Sequence, residues 1–140
     1  MPAKRAPTKA AALRIKRIYQ PAAKTDGLRV LVDRLWPRGI AKAKAQIDLW
    51  LKDVSPSDAL RHKFHNHPES WSAFVTAYRR ELKQEPASSA LDQLRALVRK
   101  QPVTLLYAAR DETHNNAVAL QRLLETSQRN SPAPPRPSRR

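Results

Sequence analysis

The stretch Val103-Thr104-Leu105-Leu106-Tyr107-Ala108-Ala109, followed by Arg110-Asp111-Glu112, decides the fold class. It is a nearly unbroken apolar run of strand length, and a strand without polar alternation is one covered on both faces, as in a parallel sheet. The polar turn after it leads into a segment whose Val118, Leu120, Leu123 and Leu124 form a helical stripe. A buried strand, a short turn and a helix make up the unit of open parallel α/β sheets, whose ligands collect beyond the carboxyl ends of the strands.

Working back from that unit, Ile15–Tyr19 and Leu28–Asp33 are short runs rich in β-branched residues, separated by a linker with Pro21 and an Asp26-Gly27 turn signal. A third, shorter strand is predicted where Ile47, Leu49 and Leu51 alternate with Asp48, Trp50 and Lys52. Ser57 is placed to cap a helix running to about His65, with Leu60 and Phe64 on one face. Pro68 is expected to open the next helix, whose stripe is Trp71, Phe74, Val75, Tyr78 and Leu82. Ser88 or Ser89 is expected to cap a third, bearing Leu91, Leu94, Leu97 and Val98, which Pro102 closes. The expected architecture is α/β: a small, mostly parallel sheet of three to four strands packed by four to five helices in a Rossmann-like, three-layer arrangement.

With 140 residues, one domain is the default, because two would leave each half too little core. The absence of cysteine excludes disulfides, thiolate metal sites and a cysteine nucleophile. No segment has the length and apolarity of a membrane span or a secretory signal, so the cytoplasm is the expected compartment. The formal charge of +15 is unevenly spread: eight uncompensated cations lie in residues 1–14 and 127–140, leaving +7 for the middle of the chain. The C-terminal run contains Pro132, Pro134, Pro135 and Pro137 and no large apolar residue, which predicts disorder. The expected division is a disordered basic tail at 1–14, an α/β domain at 15–126 and a disordered Pro/Arg-rich tail at 127–140.

Three polar stretches flank the predicted strands. In the first, Asp33-Arg34-Leu35-Trp36-Pro37-Arg38-Gly39, two guanidinium groups near a Trp-Pro turn suit a phosphate or carboxylate; the alternative is a structural Asp33–Arg34 pair that locks a strand end. The second runs from Tyr107 through Arg110 and His114 to Asn115 and Asn116, into a helix start, where free amides favour an anion and His114 suits proton transfer. Its alternative is plain capping by Asp111, Thr113 or Asn115. The third, Lys52-Asp53-Val54-Ser55-Pro56-Ser57, adds a cation and two hydroxyls. His62, His65 and His67 span a helix end and lack a further ligand at a recognised spacing, so no metal is expected. With Gly27 and Gly39 the only glycines, no phosphate loop or dinucleotide fingerprint exists, and no cofactor is expected.

Val30-Leu31-Val32-Asp33-Arg34-Leu35-Trp36-Pro37-Arg38-Gly39, Asp48-Leu49-Trp50-Leu51-Lys52-Asp53 and Leu105-Leu106-Tyr107-Ala108-Ala109 with His114-Asn115 closely resemble the YeaO-like proteins of the bacterial domain of unknown function 488. The likeness runs from about Ile15 to Glu125 and takes in Leu60-Arg61, Trp71, Phe74, Tyr78 and Glu81-Leu82. It implies a compact α/β domain of bacterial origin and brings no activity with it. The recurrent polar positions of that family correspond here to Asp33, Arg34, Arg38, Lys52, Asp53, His114 and Asn115. Members often carry histidine where this chain has Asn116, and lysine where it has Arg110, which weakens a proton-transfer role carried over from relatives.

The leading expectation is a sheet-edge pocket that binds a small anionic or phosphorylated ligand through Arg34, Arg38, Lys52, Asp53, Tyr107, Arg110 and Asn115. Were the chain an enzyme, Asp33 and His114 would be its acid and base. The rival expectation is a protein that associates with nucleic acid nonspecifically through its basic tails.

Overall fold

A computed structural model describes residues 13–130; the expectations for residues 1–12 and 131–140 lie outside the described residues. The elements in chain order are β1 (Leu13–Arg17), β2 (Leu28–Leu31), α1 (Lys42–Ala45), β3 (Leu49–Trp50), α2 (Asp58–Asn66), α3 (Trp71–Glu81), α4 (Ala87–Lys100), β4 (Val103–Tyr107) and α5 (Asn116–Asn130), with single 3-10 turns at Lys24–Asp26 and Lys52–Val54. The sheet is four-stranded and all parallel, in the order β1-β4-β2-β3. This is the expected α/β class.

β4 is buried along its whole length because it lies between β1 and β2, in register Leu13↔Val103↔Leu28 at its start. Its alternate residues serve two layers. Val103, Leu105 and Tyr107, with Leu13, Val30 and Val32, join the core that α2, α3, α4 and α5 build from Leu60, Phe74, Tyr78, Leu94, Leu120 and Leu124. Leu106, with Ile18 and Leu31, faces the other way and is covered by Trp36, Ile40, Ile47, Trp50 and Ala108. The second face is thus roofed by the loop from β2 to β3 and the one-turn helix α1, and the long helices share one side.

The amino-terminal half of that second face is polar. Asp26, 3% exposed, takes hydrogen bonds from Lys16 Nζ (2.8 Å), Arg29 Nη1 (2.6 Å) and the Ala23 amide (3.0 Å). Thr104 Oγ1 donates to the Asp26 carbonyl at 2.7 Å, and Arg29 also donates to the Ala45 and Gln46 carbonyls. Two buried or half-buried cations are acceptable here because one carboxylate and several carbonyls satisfy them.

Several boundaries differ from expectation. β1 begins at Leu13, which the sequence allows to join it, and ends at Arg17, while α5 runs on to Asn130, because Ser127–Asn130 contain no helix breaker and the next proline is Pro132. The third helix begins at Ala87, so Ser88 and Ser89 lie inside its first turn; the Glu85 carboxylate accepts from the Ser89 amide and hydroxyl in place of a serine cap. Pro68 precedes the next helix by a turn, and α3 starts at Trp71. Ser57 does cap α2, its hydroxyl accepting from the Leu60 amide at 3.1 Å. Among the described residues no helix is long and apolar enough to cross a membrane.

Candidate functional site at the carboxyl ends of β2 and β4

β2 and β4 are neighbours, and the chains leaving their carboxyl ends part company. The β2 exit turns under the face roofed by Trp36 and Ile40, whereas the β4 exit leads to α5 on the helical side. Where adjacent parallel strands send their connections to opposite faces, a crevice opens, and that is the usual ligand position in such sheets.

Asp33 stands in this crevice. Its Oδ2 accepts from the Ala108 amide at 2.9 Å and its Oδ1 from Asn116 Nδ2 at 3.1 Å, while Asn116 Nδ2 also donates to the Val32 carbonyl at 3.0 Å. Trp50 Nε1 donates to the Asp33 carbonyl at 2.7 Å, which ties the same point to β3. Burial pushes the Asp33 carboxyl above its ordinary value; hydrogen bonds from Asn116 and Ala108 and the charge of Arg61 offset that only in part.

Arg34 follows directly and turns toward α2. Its Nε and Nη2 reach the Pro56 carbonyl at 3.4 Å each, and Nε lies 3.9 Å from Asp58 Oδ1, so its partners are all at the long end of bonding range. Arg61 holds the same Asp58 oxygen at 2.6 Å. Beneath them Tyr78, fully buried, donates its hydroxyl to the Val54 carbonyl, and burial with the Asp33 and Glu81 charges pushes its phenol well up. Glu81 accepts from the Ser57 amide (2.8 Å) and hydroxyl (2.6 Å), placing a carboxylate at the α2 amino terminus.

The β4–α5 loop uses its own amides. Asp111 Oδ1 accepts from the Thr113 amide (2.9 Å), the Thr113 hydroxyl (3.0 Å) and the His114 amide (3.0 Å), and these bonds hold its carboxyl below the ordinary value. Asn115, buried, is the cap of α5: its Oδ1 accepts from the Val118 amide at 2.9 Å and its Nδ2 donates to the Asp111 carbonyl at 2.8 Å. The imidazole of His114 packs on Trp71, with ring centroids 4.8 Å apart, and its Nδ1 is 3.8 Å from Asp111 Oδ2. The carboxylate of Asp111 therefore occupies the donors that the sequence offers to an external anion.

The remaining candidates have other partners. Arg38 is exposed, and its carbonyl accepts from the Tyr19 hydroxyl at 2.8 Å, which sets its backbone beside the chain leaving β1. Lys52 stands 4.4 Å over the Trp50 ring and, with Asp53, lines a cleft of about 440 Å³ against Pro86, Ser89 and Gln93 at the start of α4; Asp33, Arg34, Arg38 and His114 are not in its walls. Tyr107 points into the helical core, where burial and the Glu112 charge push its phenol up, and Arg110 is exposed. Among the described residues no hydrogen bond or ion pair joins Asp33, Arg34, Arg38 and His114 to one another, and no cluster of three or more His, Asp or Glu side chains is arranged to hold a metal ion. Asn116 stands in the second polar stretch, but sequence reasoning singles out neither it nor Arg61 nor Trp50 as a site residue; all three lie within the span of the family resemblance.

The sequence profile described as the inactive DUF488-N3 subclade matches residues 12–139. The chain is 43% identical over 108 residues to "Uncharacterized protein YeaO" of Escherichia coli strain K12, covering 77% of this chain and 92% of that protein. It is 40% identical over 112 residues to "Uncharacterized protein Rv3073c" of Mycobacterium tuberculosis strain H37Rv, covering 80% of this chain and 92% of the relative. No solved structure matches.

Proposed function

The chain belongs to the family described as the inactive DUF488-N3 subclade, and from that membership we propose that it binds a small anionic or phosphorylated ligand at the β2/β4 crevice without transforming it. The observation that carries this reading is Arg34: a guanidinium at the carboxyl end of a parallel sheet, 36% exposed, whose partners lie at 3.4 and 3.9 Å. Such a group keeps most of its bidentate capacity for a carboxylate or phosphate. Arg61 shares Asp58 with it and supplies a second cation as the ligand displaces that exposed carboxylate. The lack of chemistry is supported by the subclade's description and by the engagement of both Asp33 oxygens within the chain.

The test is calorimetric titration of the full chain with inorganic phosphate and a set of phosphomonoesters. At least one should bind, and Arg34→Ala should weaken it by about tenfold, the scale of a lost charge-assisted bond. Arg79→Ala, an exposed cation on α3, should leave binding unchanged. Equal affinity of the Arg34→Ala and parent proteins would remove the proposal.

A further inference from the structure

The roof of the second sheet face is basic and free of acids from Arg34 to Gln46, where it carries Arg34, Arg38, Lys42 and Lys44. Trp36 and Ile40 anchor it on Leu31 and Leu106, while Arg38, Lys42 and Lys44 are exposed and make no ion pair among the described residues. Among the described residues, the two large apolar side chains most open to solvent belong to the same region: Leu35, 64% exposed, lies within the segment, and Tyr19, 42% exposed, is bonded through its hydroxyl to the Arg38 carbonyl. Arg17 holds its guanidinium 4.9 Å from the Tyr19 ring centroid while donating to the Ala108 and Ala109 carbonyls, so the ring is fixed in place.

We propose that this face binds single-stranded nucleic acid, with phosphates on Arg38, Lys42 and Lys44 and a base stacked on Tyr19, Leu35 adding apolar contact. Cations free of acids attract a phosphate backbone, and a solvent-open, immobilised ring offers every base a stacking surface without sequence preference. A duplex presents phosphates but hides its base faces, so an open ring favours the single strand. The face is separate from the crevice cation, since the Arg34 guanidinium turns to α2.

The experiment is fluorescence anisotropy of the full chain with labelled oligothymidylate and oligouridylate of about twenty nucleotides, over a salt series around 0.1 M. Replacing Arg38, Lys42 and Lys44 together by alanine should weaken binding by at least about tenfold and flatten the slope of log K against log salt by about 2, three contacts at about 0.7 each. Tyr19→Ala should weaken it by about fivefold or more with the slope unchanged, whereas Tyr19→Phe should bind like the parent. Arg79→Ala, an exposed cation on α3, should not matter. An unaltered triple variant would assign any binding to the tails and overturn the proposal. So would a Tyr19→Phe loss equal to that of Tyr19→Ala, a duplex bound as tightly as the single strand, or anionic phospholipid vesicles bound in preference to either oligonucleotide.

Discussion

Asn116 donates one side-chain amide to Asp33 across 83 residues of sequence, at 3.1 Å, and thereby fastens the first residue of α5 to the end of β2. The same nitrogen reaches the Val32 carbonyl at 3.0 Å, and Asp33 answers by accepting the Ala108 amide at 2.9 Å. These bonds tie the chain leaving β2 to the starts of α5 and of the β4–α5 loop.

Asn116→Ala should cost about 1–3 kcal/mol in urea unfolding, because a half-buried carboxylate and a carbonyl each lose a donor. The carboxyl of Asp33 should also titrate at higher pH in the variant, Asn116 being foremost among the groups that hold it down. Carbon-13 NMR of that carboxyl reads the shift directly, and an unmoved titration would show that Asn116 does not govern the site.

Asp26 and Asp33 should link stability to pH with opposite signs. Burial raises the Asp26 carboxyl, but the bonds from Lys16, Ala23 and Arg29 outweigh it and leave the group below its ordinary 3.8; its contribution is present above that value and is lost as pH falls through the depressed one. Asp33 lies above 3.8, so its contribution is complete below 3.8 and is lost as pH rises through the elevated value. Relative to the parent protein, the deficit of Asp26→Asn should therefore grow from acid toward neutral pH, and that of Asp33→Asn should shrink. Parallel trends in the two variants would contradict the assignment. At neutral pH Asp26→Asn should cost about 3–5 kcal/mol, since it strands the buried Arg29.

Gly27 and Gly39 both have positive φ, +65° and +81°, yet they should respond differently to alanine. A Cβ on Gly27 would collide with the Pro102 carbonyl, the acceptor of the Leu28 amide at 2.9 Å, whereas nothing lies within 4 Å of one on Gly39. Gly39→Ala should cost about 1 kcal/mol of left-handed strain, and Gly27→Ala about 1–3 kcal/mol beyond that for the displaced strand ends. Thermal unfolding compares the two, and equal losses would mean the β2–β4 contact at Pro102 yields freely.

What the amino-acid sequence determined by itself was whatever depends on near neighbours along the chain. The uninterrupted run at Val103–Tyr107 marked a strand covered twice, the stripes through Phe74, Tyr78, Leu91, Leu94 and Val98 marked helices, and Ser57 announced its own cap. The four-residue α1 had no stripe to betray it. Polar loops at the strand ends were also legible, which is why Asp33 and Arg34 stand in the crevice. Only the tertiary structure decided which way each side chain of those loops turns. Tyr107 faces the helical core because odd-numbered residues of β4 do; Asn115 and Asp111 are consumed within the loop; and Arg34 turns to the Pro56 carbonyl and Asp58 at the start of α2. Periodicity records exposure along one element, whereas the meeting of two loops depends on strand order, and β4 enters between β1 and β2 from the far end of the chain.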